Sequence, residues 1–216
     1  MLLWYHENHT MQGFEFIFVI AVLIVSVIIH EISHGYAAER LGDPTARLAG
    51  RLTMNPLPHL DILGSLIFPT LSYFLGGFIV GWAKPVPYNP NNMRNPRWGG
   101  AIVAAAGPLV NIAIALIFGL LVRFAPALGL PDALVFISSF VVFINIVLAF
   151  LNLMPIPPLD GSKILFAILP YRFYRIQEIL EQYGLVVLLF IIFFLWKFLL
   201  PAPYFVFKVI TGIGFF

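Results

Sequence analysis

The stretch FEFIFVIAVLIVSVIIHEISH, residues 14–34, places two histidines and a glutamate directly after a long apolar run. Within that run, residues 16–29 include no charged side chain. A helix needs about 20 mostly apolar residues to cross the hydrocarbon core of a bilayer. Ionisable side chains at such a depth are costly and mark functional positions by default. The stretch therefore predicts a membrane-spanning helix that carries a functional site near its end.

The composition extends this interpretation to the whole chain. Of 216 residues, 61% are hydrophobic and 10% are charged, whereas soluble domains have about 25% charged residues. The polar stretches, at about 40–61 and 82–98, are too short to bury a core of their own. We therefore expect an integral membrane protein surrounded by the lipid bilayer.

Charge and cysteine content exclude several classes of function. The net charge of +2 gives no reason to expect a nucleic-acid partner. The chain has no cysteine, which excludes disulfides, thiolate metal sites and cysteine nucleophiles. The N-terminus lacks the basic region and the small-residue cleavage site of a signal peptide, so we expect the first helix to remain in the mature protein.

Apolar runs divide the chain into candidate membrane-spanning helices. The fold class we predict is an all-α polytopic membrane protein with about five to six transmembrane helices. The runs lie at about 14–38, 61–81, 99–123, 133–154 and 184–200, with a short last run at 203–216. Prolines 201 and 203 separate the final two runs, because proline interrupts helical hydrogen bonding.

The second run, 61–81, is the exception among them. It contains Pro69 and the pair Gly76-Gly77, which disfavour a helix interior. Arginines 40, 47 and 51 precede it, and Lys84, Arg94 and Arg97 follow it. Basic residues are enriched in cytoplasmic loops. A single crossing would put the two basic groups on opposite sides of the membrane. We therefore favour a re-entrant or short β segment here, with the N-terminus outside.

The HEISH pentapeptide has the spacing of a metal site. His30 and His34 are four residues apart, so they project from one face of a helix toward one ion. Glu31 is placed to act as the general base on a water at that ion, as in the H-E-x-x-H arrangement of zinc proteases. The alternative is a buried pair of hydrogen-bonded histidines without a metal.

A catalytic zinc site normally takes three protein ligands. Asp160 follows the run at 133–154. If 61–81 is re-entrant, that helix runs parallel to the first helix and brings Asp160 to the depth of the histidines. With a single crossing it would run the other way. The competing third ligand is His59, which lies in the loop after the first helix.

Three motifs together resemble the site-2 protease family of intramembrane zinc metalloproteases. They are HEISH at 30–34, GPLVN at 107–111 and NLMPIPPLDG at 152–161, and GWAKPVPYNP at 81–90 also resembles the loop before the family's central helix. The resemblance covers roughly 30–165. The chain has no room for an appended PDZ or CBS domain, so the resemblance is to a minimal form of the family.

The resemblance implies a role for each motif residue. His30, His34 and Asp160 would bind one zinc ion, and Glu31 would activate the water. Asn152 would hold the substrate or stabilise the oxyanion, although a residue of this type at a helix end is also suited to capping. For Asn111 we favour an interhelical hydrogen bond over a part in catalysis.

The expected function is an intramembrane zinc endopeptidase that cleaves transmembrane protein substrates. Residues 1–216 would form one domain, with a catalytic core at about 14–165 and a possible substrate gate at 184–216. The segment 76–87, with Phe78, Ile79 and Val80, is our candidate for the edge that receives an unwound substrate. We expect a prokaryotic plasma membrane and an active site toward the cytoplasm.

Two other functions fit parts of the pattern. One is a divalent-metal transporter, which would string its ligands along a path and would not cluster them at one depth. The other is a non-proteolytic membrane metal-binding protein, which would not need Glu31. The sequence does not predict the oligomeric state.

Overall fold

The structure is a computed structural model that describes residues 13–67 and 83–215. Within these ranges the regular elements are helices, and the chain forms no strand. The helices used below are α1 (Gly13–Arg40), α2 (Pro96–Arg123), α3 (Asp132–Asn152), α4 (Asp160–Ile168), α5 (Tyr174–Phe190) and α6 (Pro201–Thr211). Shorter helical pieces are Thr45–Leu48, Leu57–His59, Ile62–Ile67, Pro90–Asn92, Ala125–Leu128, Tyr171–Phe173, Ile191–Leu195 and Trp196–Leu199.

Helix α2 occupies the centre of the bundle. It begins at Pro96, where the Asn95 side chain accepts a hydrogen bond from the Trp98 N–H. An asparagine N-cap followed by proline is a favoured helix start, because proline lacks the N–H that would go unpaired there. Helices α1, α3, α4 and α6 all pack against α2, so α2 sets their spacing.

Contacts between side chains fix the relative directions of the helices. His30 contacts Asn111, and His34, further along α1, contacts Val103, which lies earlier in α2. Helices α1 and α2 are therefore antiparallel. Ser26 bonds to Asn145 of α3, and His30 lies beside Asp160, which follows α3. Helices α1 and α3 therefore run parallel, as the sequence predicted.

The connection between α1 and α2 starts and finishes at one end of the bundle. Asp43, just after α1, accepts hydrogen bonds from the Asn89 N–H and the Asn92 side chain, just before α2. The described residues at the two ends of this connection therefore lie side by side. Residues 68–82 lie outside the described residues, so the re-entrant or β conformation of 61–81 stays a prediction, as does the substrate edge at 78–80.

Four helices of the described chain are long and apolar enough to cross a membrane: Ile17–Arg40, Pro96–Arg123, Asp132–Asn152 and Arg175–Leu199. The predicted run 184–200 therefore begins about two and a half turns too late, since the candidate span begins at Arg175. The amphiphilic start of α5, YRIQEILEQY, concealed that extension. Helix α6 has 11 residues, and at about 1.5 Å per residue it is too short to span the membrane alone.

The C-terminal helix α6 belongs to the same bundle. Phe207 is fully buried in a cluster with Val142 and Phe143 of α3 and Ala115 of α2. The Phe143 ring stacks on Phe215, with 4.2 Å between the ring centroids. Helix α5, by contrast, is mostly exposed in the absence of lipid.

Candidate metal centre

Three side chains converge where α1, α2 and α4 meet. The Nε2 atoms of His30 and His34 lie 3.1 Å apart. The Oδ2 atom of Asp160 lies 3.1 Å from each of them. All three residues are buried. The structure thus brings together the three residues for which the sequence predicted metal binding.

This triangle of ligand atoms fits a zinc ion. Ligand atoms about 2.1 Å from a tetrahedral zinc stand about 3.4 Å from one another, which is close to the spacing found here. Two imidazole nitrogens and one carboxylate oxygen are also a donor set that zinc accepts, leaving a fourth position for water. Zinc is therefore the cofactor for which these residues are suited.

Gly107 of α2 gives the imidazole rings the room they need. A Cβ atom at this position would lie 2.5 Å from Cε1 of His30 and 2.6 Å from Cε1 of His34. No real side chain approaches so closely. The first residue of the GPLVN motif has no room for a side chain, because the His30 and His34 rings pack against its backbone.

Helix α2 also orients both histidines. The Nδ1 atom of His34 lies 2.7 Å from the backbone carbonyl oxygen of Val103. A carbonyl oxygen can only accept, so Nδ1 of His34 carries a proton, and in the neutral ring the lone pair is then on Nε2. The Nδ1 atom of His30 lies 2.5 Å from Oδ1 of Asn111. Asn111 thus makes the interhelical bond that we expected of it.

Asp160 is the first residue of α4 and is ionised at neutral pH. Burial alone would raise the pKa of its carboxyl group, but the neighbouring His30 and His34 side chains outweigh burial and hold that pKa well below its usual value. Lys163 stands 3.6 Å from the other carboxylate oxygen and adds to the effect. The next residue, Gly161, has no space for a side chain, because a Cβ there would lie 2.5 Å from the Met154 carbonyl oxygen.

Glu31 lies beside the histidines without being hydrogen-bonded to them. It is grouped with His30 and His34, with all three potential ligand atoms within 4.8 Å of one another. Its Oε2 atom accepts a hydrogen bond from the backbone N–H of Val86, at 2.8 Å. Val86 belongs to the segment 83–89, which has no regular secondary structure. This segment fixes the carboxylate next to the metal ligands.

Asn152 and His59 are placed differently from the three converging residues. The Asn152 side chain donates to the Leu148 carbonyl of its own helix, at 3.0 Å, so its part in binding substrate or oxyanion stays a prediction. His59 is buried, and its Nε2 lies 3.0 Å from the Thr53 carbonyl oxygen. Asp160, and not His59, is the third side chain at the two histidines.

Three partners of the site were not predicted from the sequence: Asn145, Ser26 and the Val86 N–H. Asn145 donates to Ser26 and accepts from Asn111, and Val86 holds Glu31 through its backbone. Asn145 stands alone among apolar residues in FVVFINIVLAF, and an isolated amide in a membrane helix is a signal that we could have used. The Val86 N–H has no signal in the sequence.

Comparison with known proteins identifies relatives over most of the chain. The sequence profile of Peptidase family M50 matches residues 18–139 and 130–195. "Putative zinc metalloprotease YwhC" of Bacillus subtilis (strain 168) is 36% identical over 178 residues, which is 80% of this chain and 78% of the relative. "Putative zinc metalloprotease Rip2" of Mycolicibacterium smegmatis is 36% identical over 148 residues, 68% of this chain and 55% of the relative.

A shorter match and a negative result complete the comparison. "Putative zinc metalloprotease MJ0611" of Methanocaldococcus jannaschii is 44% identical over 64 residues, or 29% of this chain and 31% of the relative. No solved structure matches the chain.

The family match and the named relatives, together with the apolar helices and the group formed by His30, Glu31 and His34, support an integral membrane metalloprotease. The chain belongs to Peptidase family M50, the site-2 protease family, as its motifs predicted.

Proposed function

We propose that the protein is an intramembrane zinc endopeptidase, which hydrolyses peptide bonds in or near the transmembrane segments of other membrane proteins. The observation that carries the proposal is the position of Glu31. It stands beside a converging set of two histidines and an aspartate, on a helix that is apolar for most of its length. A site that only bound metal would not need this carboxylate.

Each residue of the site has a role in the proposed hydrolysis. His30, His34 and Asp160 hold the zinc, which when bound makes water more acidic and polarises a carbonyl group. Glu31 takes a proton from the attacking water and later delivers it to the leaving amine. The Val86 N–H holds one carboxylate oxygen of Glu31, which leaves the other available for this proton transfer.

Asn152 would donate a hydrogen bond to the substrate carbonyl oxygen as negative charge develops there. A side-chain amide nitrogen carries two N–H groups. Asn152 could therefore keep its bond to the Leu148 carbonyl and use the second N–H for the substrate.

The substrate would be a transmembrane protein segment that unwinds before cleavage, since a helix hides its own peptide bonds. We propose residues 76–87 as the edge that receives the unwound strand, and 184–216 as the gate through which it arrives. The whole chain would act as one domain in the bilayer, with the metal ligands nearer the cytoplasmic side of a prokaryotic plasma membrane.

Exchanging Glu31 for glutamine tests this function. In purified protein in detergent, Glu31→Gln keeps an acceptor for the Val86 N–H but has no basic carboxylate. We expect about one zinc per chain in both proteins, and cleavage of a labelled transmembrane peptide to fall by at least about 100-fold in the variant. His30→Ala serves as the control that loses the zinc.

The rival functions predict other outcomes. A metal transporter would move zinc into vesicles equally well with Glu31→Gln, and a binding protein would capture transmembrane peptides without cutting any. Zinc binding by the parent without cleavage of a broad peptide panel would overturn the proposed proteolysis.

A further inference from the structure

A row of buried polar side chains leads from His30 away from the metal position. Asn111 of α2 contacts His30, and its Nδ2 donates to Oδ1 of Asn145 on α3, at 2.7 Å. The Nδ2 of Asn145 donates in turn to Oγ of Ser26 on α1, at 3.0 Å, and to the Val141 carbonyl, at 2.9 Å. Asn111 and Asn145 are both 0% exposed. The row crosses three helices.

The backbone carbonyl of Val141 sets the direction of every bond in this row. An amide side chain can turn either its oxygen or its nitrogen toward a neighbour, so its orientation follows from its partners. The Val141 carbonyl can only accept, and Asn145 must therefore turn its nitrogen toward it. The Asn145 oxygen then faces Asn111 and can only accept. Asn111 must therefore donate from its nitrogen and turn its own oxygen toward His30.

The direction of the row decides where His30 carries its proton. Oδ1 of Asn111 can only accept a hydrogen bond, so Nδ1 of His30 must donate one. The neutral ring then has its lone pair on Nε2, the atom that lies 3.1 Å from Nε2 of His34 and from Oδ2 of Asp160. His34 reaches the same state by a single bond to a backbone carbonyl.

We propose that Asn111 and Asn145 are positioning residues for the metal site, which hold His30 in the form whose Nε2 binds zinc. Asn111 acts through His30, and Asn145 acts through Asn111. The inference rests on the proposed zinc binding by His30, His34 and Asp160. Hydrogen-bonded partners of metal-binding histidines commonly raise metal affinity, because they fix the tautomer and the ring orientation.

Two substitutions of Asn111 separate positioning from packing. Asn111→Leu removes the acceptor, whereas Asn111→Asp keeps an acceptor for the His30 Nδ1–H but introduces a buried charge. Zinc affinity of the purified full chain in detergent is measured by competition with a chromophoric chelator. We expect Asn111→Leu to bind zinc about 10- to 100-fold more weakly and Asn111→Asp to stay nearer the parent. Ser139→Ala, a buried polar position on α3 outside the row, is the matched control.

The outcomes are distinct from those that test the proposed function. If the parent binds no zinc, the metal site itself is wrong. If the parent binds zinc and Asn111→Leu binds it as tightly as Asn111→Asp or Ser139→Ala, the site stands and the positioning role is wrong. The absorption spectrum of the cobalt-substituted proteins gives a second readout, since packing defects elsewhere would leave it unchanged.

The remote members of the row are tested by a graded comparison and by a direct observation. Asn145→Leu should weaken zinc binding, whereas Ser26→Ala should not, because the Val141 carbonyl still orients Asn145. In the zinc-loaded parent, nitrogen NMR of labelled histidines should show His30 protonated on Nδ1. A His30 signal protonated on Nε2 would overturn the proposal even if the leucine variants fail to fold.

Discussion

At the scale of single residues, the metal centre depends on the absence of a side chain as much as on the ligands. At Gly107 the imidazole rings of His30 and His34 pack directly against the helix backbone, and a Cβ atom there would displace both rings. Glycine inside a helix costs about 1 kcal/mol relative to alanine. Gly107 therefore weakens α2 at the point where this helix packs against His30 and His34.

Replacing Gly107 with alanine should therefore separate folding from metal binding. The methyl group strengthens the helix by up to about 1 kcal/mol in propensity but pushes the histidine rings out of position. We expect Gly107→Ala to retain its helical circular dichroism and to lose most of its zinc, measured as metal per chain. Gly100→Ala is the matched control on the same helix, because a Cβ there meets nothing within 4 Å. Full zinc content in Gly107→Ala would contradict the explanation.

The ligands and an interhelical bond of Asn111 could be predicted from the sequence, but the partners that this bond would join could not. His30 and His34 were predictable because a spacing of four residues defines one helix face whatever surrounds it. Asn145 and Ser26 depend on how α1 and α3 are rotated about their axes. These helices are apolar on nearly every side, so the sequence shows no periodicity from which that rotation could be deduced.

At the scale of elements, the segment 83–89 is held in place by hydrogen bonds rather than by regular structure. The Lys84 N–H donates to the His59 carbonyl, and Arg51 donates to the Lys84 carbonyl. Val86 then donates to Glu31, and Asn89 to Asp43. The sequence predicted a family loop and a substrate edge over parts of this stretch, but it did not predict these hydrogen bonds, since the partners lie far away along the chain.

Asp43 should make the attachment of this segment sensitive to acid. Burial opposes ionisation of its carboxyl group, but hydrogen bonds from Thr45, Asn89 and Asn92 outweigh it and lower its pKa. The pKa is thus below the value of about 3.9 for an unfolded chain. Its contribution to stability is complete above about pH 4 and is lost as the pH falls through the lowered pKa.

Asp43→Asn should remove both the stabilisation and its pH dependence. An asparagine nitrogen would face donors at this position, which costs about 1–3 kcal/mol. We expect faster amide hydrogen exchange at 83–95 in the variant at neutral pH, and acid-induced loosening in the parent alone. Asp132→Asn, at an exposed position, is the control. Equal exchange in parent and Asp43→Asn would show that Asp43 does not hold the segment.

At the scale of the whole molecule, the helix directions place two features at opposite ends of the bundle. The connection from α1 to α2 lies at one end, and the turn between α2 and α3 lies at the other, because successive helices are antiparallel. Leu48 marks the first end, with 82% of its surface exposed, and Leu128 the second, with 61%. The basic residues around Leu48 predict that its end faces the cytoplasm.

Single cysteines can test this orientation, because the natural chain has none. In intact cells, we expect a membrane-impermeant thiol reagent to label Leu128→Cys and to leave Leu48→Cys unlabelled until the membrane is permeabilised. The parent chain gives the background. Labelling of Leu48→Cys in intact cells would place the opposite end of the bundle in the cytoplasm.

Asp160 is distant in sequence from the two histidines, and this has a consequence for the integrity of the fold. His30 and Asp160 are 130 residues apart, so a zinc ion between them joins α1 to the start of α4. In a protein without cysteine, such an ion acts as a cross-link that closes a long loop, as a disulfide does in a secreted domain. Removal of the metal should therefore make α1 easier to separate from the bundle, so that catalytic competence and resistance to unfolding are lost together.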